Sequence, residues 1–175
     1  MLSLIELAKE GNLEKTGAKP KLPIKVDGVS SETLDVYKIP LEYIYYNDKN
    51  GRIATGISQY HDELHPANDH EDPQYNNFVA KLIEQDNSSA LKRTEKSIQE
   101  SGQQVYGYVL DDGRIIDGNR RFTALRNIHQ STGRTVYFEY YHSHMTIQLN
   151  ELRSKNWNWL FRWVLKNGKI MIRLT

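Results

Sequence analysis

Gly118, Arg120 and Arg121 are the residues in this chain whose types and spacing best suit a defined chemistry, the binding of phosphate. Glycine lets a backbone turn closely around a ligand, and each guanidinium offers a rigid fork of donors that matches phosphate oxygens. Phe122, Leu125 and Ile128 follow at three-residue spacing and predict one apolar face of a helix beginning near Asn119. The first turn of such a helix has unpaired N–H groups and a positive end, so it can hold an anion. Two arginines there run against the usual preference for acidic residues, an arrangement that an arriving anion would relieve. Asp117, directly before the glycine, reads as a turn or N-cap residue or as a carboxylate of the site.

Positioning these residues falls to the elements around them. Val105 to Leu110 and Arg114 to Ile116 read as two short strands joined across Asp111, Asp112 and Gly113, the acidic-glycine type of tight turn. An amphipathic helix is expected from Gln74 to Gln85 through Phe78, Leu82 and Ile83. A second, built on Ala90, Leu91, Thr94 and Ile98, should end around Gly102. Further strands are expected at Leu22–Val26, Thr33–Lys38, Leu41–Tyr46 and Thr135–Tyr141. The opening MLSLIELAKE predicts a short surface helix with Leu2, Ile5 and Leu4 on one side, followed by a lysine-rich connection full of breakers. The expected class is α+β, a small mixed sheet covered by helices. We divide the chain into an N-terminal extension (1–38), a central domain (39–141) and an aromatic-rich tail (142–175).

Other clusters suggest other chemistries. His61 and His65 stand four apart in HDELH, but Asp62 replaces the expected glutamate and Pro66 disfavours a continuing helix, so a solvated loop competes with a metal site. Lys92, Arg93, Lys96, Arg120, Arg121, Arg126 and Arg134 could gather into a surface for a phosphate backbone, although Glu95, Glu100, Asp111 and Asp112 interrupt them. A net charge of +1 over 175 residues leaves any DNA contact to such a local patch. The chain has no cysteine, which rules out a disulfide framework, and no apolar run near the roughly 18 residues of a membrane span. With no basic-then-apolar leader either, a cytoplasmic setting without membrane contact is expected. Trp157, Trp159, Phe161 and Trp163 crowd the tail, which would bury against the domain or form a protein contact such as a homodimer.

Gly118, Arg120, Arg121 and Ala124 resemble the glycine-arginine-arginine box of the ParB/sulfiredoxin-like superfamily, closest in pattern to the ParB N-terminal domain. The likeness extends from Ile39 to Tyr140 through an entry strand at Ile39–Ile44 and a helix and turn at Thr94–Gln103. It implies a ParB/sulfiredoxin-like fold in which Gly118, Asn119, Arg120 and Arg121 bind nucleotide phosphates. Arg52, Asp117 and Thr123 become further pocket candidates. CTP or ATP, with Mg2+, is the ligand so implied, and the setting is DNA maintenance, partition or defence, with DNA as a further partner. In sulfiredoxins a catalytic cysteine holds the second box position; here it is Asn119, which excludes that thiol chemistry. Two alternatives stay open. One is a metal-dependent DNA nuclease drawing on Asp111, Asp112 and Asp117; the other is a catalytically silent interaction domain.

Overall fold

A computed structural model describes residues 3–20, 33, 35–47 and 71–142. Along the chain these form α1 (Leu4–Lys9), β1 (Glu14–Lys15), β2 (Asp35–Pro40), a 3-10 turn at Leu41–Tyr43, α2 (Pro73–Asp86), α3 (Ser88–Ser101), β3 (Tyr108–Val109), β4 (Ile115–Asp117), α4 (Asn119–Thr132) and β5 (Tyr137–His142). The expected strand at Leu22–Val26, the histidine-rich stretch, Arg52 and the aromatic run of the tail lie outside the described residues.

β2 is the middle strand of an antiparallel sheet ordered β1-β2-β5, and β3 and β4 form a separate antiparallel hairpin. Two parallel contacts join these pieces. Gly107 donates to Glu139 O at 2.9 Å and accepts from Tyr141 N at 3.0 Å, which sets the hairpin beside β5. On its other side Tyr45 N bonds Gly113 O, and Ile115 N bonds Tyr45 O, both at 2.9 Å. The α+β class therefore holds, and antiparallel ladders with parallel links give the sheet its mixed character.

Alternation along β2 sends Tyr37 and Ile39 into the main core, opposite Tyr140 and Phe138 of β5. α2 brings Tyr75, Val79, Leu82 and Ile83 against them, and α4 brings Phe122 and Leu125. Burial of each such side chain contributes about 1.5–3 kcal/mol, so this shared core fixes α4 on the sheet. Leu4 of α1 is fully buried in the same core, and β1 pairs with β2 within the stretch expected to be an open connection. No helix among the described residues is long and apolar enough to cross a membrane.

Two expectations change. Leu41–Tyr46 is a 3-10 turn followed by a single bridge at Tyr45, because the chain must turn a corner from β2 to reach β4. Its aromatic and β-branched content suits a half-buried surface without requiring a continuous ladder. The strand expected over Val105–Leu110 contracts to Tyr108–Val109, since Gly107 pairs with β5 and side chains take up the Val105 carbonyl. The three central helices match expectation closely, down to Gly102 at φ 72° after α3.

Candidate functional site

The hairpin's acidic residues are each held by a different partner. Asp111 accepts from Ser3 Oγ at 3.0 Å and from Ile5 N at 2.9 Å, which ties the start of α1 to the hairpin tip. Asp112 forms an ion pair with Arg114, itself buried. Asp117 accepts from Arg121 Nη2 at 2.7 Å. Gly113 closes the hairpin at φ 90°, where a Cβ would lie 2.2 Å from Tyr43 O.

Gly118 lies between β4 and α4 with φ 120° and ψ 10°. A Cβ there would approach Phe138 Cζ to 2.7 Å, so core packing as well as the turn requires glycine. The first helical hydrogen bond runs from Phe122 N to Gly118 O, and α4 has no side-chain cap on the amides before it. By contrast, Ser3, Asp72 and Asn87 cap the other three helices.

The two box arginines are placed differently. Arg121 is a bracket: besides Asp117, its Nη1 donates to Val105 O at 2.8 Å and to Tyr106 O at 3.4 Å. Arg120 makes no hydrogen bond or ion pair among the described residues, and its Nε is buried without a partner. Asn119 is 6 % exposed; its Nδ2 reaches Asn47 O at 3.4 Å, while its Oδ1 has no partner. Thr123 is fully buried, with its hydroxyl 2.9 Å from Tyr46 Oη and donating to Asn119 O at 3.0 Å. It therefore stabilises the first turn of α4 from behind. Arg126, further along, bonds Asn76 O at 3.3 Å and stacks over Tyr46 and Phe122 at 5.6 and 5.7 Å.

Asp117, Gly118, Asn119, Arg120 and Arg121 together form one wall of a 570 Å³ cleft, whose other walls come from α3 and the end of α2. Its volume falls within the roughly 300–1,000 Å³ of small-molecule sites. Thr123 and Arg126 do not line it. Leu82, Ile83 and Ile98 supply apolar surface, and Arg93 adds a cation from α3. With Asp117 already offsetting Arg121, the box charge left without a partner among the described residues is that of Arg120.

Gln103 was not singled out by any motif. Its amide acts as an extra strand residue: Nε2 donates to Val105 O at 3.0 Å and Glu139 O at 2.6 Å, and Oε1 accepts from Glu139 N at 3.0 Å. It holds the cleft floor to β5. The only advance signal was its place directly after the helix-ending Gly102. Near the box, Tyr108 stacks on Tyr141 at 4.7 Å, and burial pushes the Tyr108 phenol well above its ordinary range. No protein-family model, curated protein or solved structure matches this chain.

Proposed function

We propose that this chain is a nucleotide-phosphate-binding domain of the ParB-like kind, serving DNA maintenance, partition or defence, and that phosphate is received at the start of α4. The observation that carries this reading is Arg120, an arginine with no hydrogen-bond or ion-pair partner among the described residues, lining a cleft at a helix start whose N-cap glycine provides no side-chain cap. Such a helix start supplies amide donors and a positive end, and Arg120 supplies the compensating charge. CTP and ATP are the ligands to test. Among the described residues, the box carboxylate Asp117 is engaged by Arg121, so the reading has Mg2+ arriving on the nucleotide. A nuclease is less favoured, since Asp111, Asp112 and Asp117 are directed to three separate partners rather than converging.

Calorimetry of the full chain against ATP and CTP tests this function. Arg120→Ala should weaken binding by about 1.5–3 kcal/mol, roughly tenfold or more, without unfolding the protein. No binding by the wild type, or equal affinity in a folded Arg120→Ala protein, would reject the site. A cytoplasmic setting accords with a nucleotide ligand. The aromatic tail is proposed as a homodimer contact, for which light scattering at several concentrations should give a mass above that of one chain.

A further inference from the structure

We propose that Arg93 of α3 is the second arm of this cleft and makes the site discriminate by the number of phosphates its ligand carries. The inference rests on the phosphate-binding reading of Arg120. Ala90, Arg93, Thr94, Ser97 and Ile98 line the cleft, the spacing of a single helix face, so α3 presents Arg93 to the same space that Arg120 borders. Arg93 and its neighbour Lys92 are both exposed and make no hydrogen bond or ion pair among the described residues, but of the two only Arg93 lines the cleft, and other charges on α3 are engaged. Lys96 pairs with Glu100 at 3.7 Å, and Glu95 accepts from Asn127 at 2.7 Å.

Two guanidinium groups without carboxylate partners among the described residues thus share one cleft. Of the carboxylates that line it, Asp117 is taken by Arg121 and Asp86 is exposed at the end of α2. A second feature at the helix start indicates an anionic ligand: the buried Nε donor of Arg120 has no acceptor among the described residues. One phosphate at α4 is served by the helix amides and Arg120. Arg93, approaching from the facing helix, has a role only if the ligand extends a further anionic group toward it. The ligand class is therefore a compound with two or more adjacent phosphates, supplied by a nucleoside polyphosphate or by inorganic polyphosphate.

The test is a titration of the full chain with AMP, ADP, ATP and tripolyphosphate at constant ionic strength, using wild type, Arg93→Gln, Arg120→Gln and Lys92→Gln. Lys92 is exposed on the same helix but does not line the cleft, so it controls for general charge. The wild type should prefer ATP to AMP by about tenfold or more, and Arg93→Gln should reduce that preference to about threefold or less with AMP affinity unchanged. Arg120→Gln should lose affinity for both, and Lys92→Gln should leave the preference intact. Tripolyphosphate binding as tightly as ATP would identify the phosphate chain as the ligand; tighter ATP binding would add a nucleoside contribution. An unaltered ATP:AMP preference in Arg93→Gln, or an equal fall in Lys92→Gln, overturns the role of Arg93 while leaving that of Arg120 standing. A wild type that binds none of the four ligands overturns both.

Discussion

Neighbouring residues on a helix point about 100° apart, and that rotation separates the roles of Arg120 and Arg121. Arg121 turns back over β4 and joins Asp117 to the Val105 and Tyr106 carbonyls, so it shapes the wall of the cleft. Arg121→Ala should cost about 1.5–3 kcal/mol of stability in denaturant unfolding, the range for hydrogen bonds that involve a charged group. Arg120→Ala should leave the unfolding midpoint nearly unchanged, since Arg120 makes no hydrogen bond or ion pair among the described residues. Equal midpoints for the two variants would contradict this division. Gly118→Ala should destabilise by about 1–3 kcal/mol, because the new methyl meets Phe138 and the backbone lies in a region that L side chains rarely adopt.

At the scale of elements, side-chain contacts rather than long ladders connect the parts. α1 has six residues, too few to persist alone, and its start is held by Ser3 and the Asp111 carboxylate. Asp111→Ala should cost about 1–2 kcal/mol and raise amide exchange across α1 ahead of the rest of the molecule. Exchange that rises uniformly would show instead that α1 opens only with global unfolding. Arg126 plays the corresponding part between α4 and α2, reaching Asn76 O and Asn77 while covering Tyr46 and Phe122. Its loss should therefore register in stability before it registers in ligand binding.

For the molecule as a whole, pH dependence has an identifiable contributor in the sheet. Partial burial raises the Glu139 carboxyl above its ordinary value of 4.5, with Lys38 opposing the shift. The folded state then holds this proton more tightly than the unfolded state. Its contribution is most favourable below the unfolded value and declines as pH rises through the raised folded value. Glu139→Gln should remove that decline, so stability relative to wild type should improve as pH rises above the ordinary value of 4.5 in denaturant melts. Parallel curves for the two proteins would remove Glu139 as the source.

Local patterns were enough to define the turn and helix that build the site. Phe122, Leu125 and Ile128 repeat at helical spacing, Gly118 marks the turn before them, and the acidic-glycine tip closes the hairpin through interactions only a few residues apart. The α+β class followed from the same short-range periods. Only the tertiary structure decided which box arginine has no partner among the described residues, because Arg121 finds its carbonyls 15 and 16 residues away on a segment placed by β5. It likewise decided that Thr123 faces Tyr46 rather than the cleft, and that Leu41–Tyr43 turns a corner. Residue type and spacing define what a side chain can do, whereas its available partners depend on segments distant in sequence that the shared core brings together.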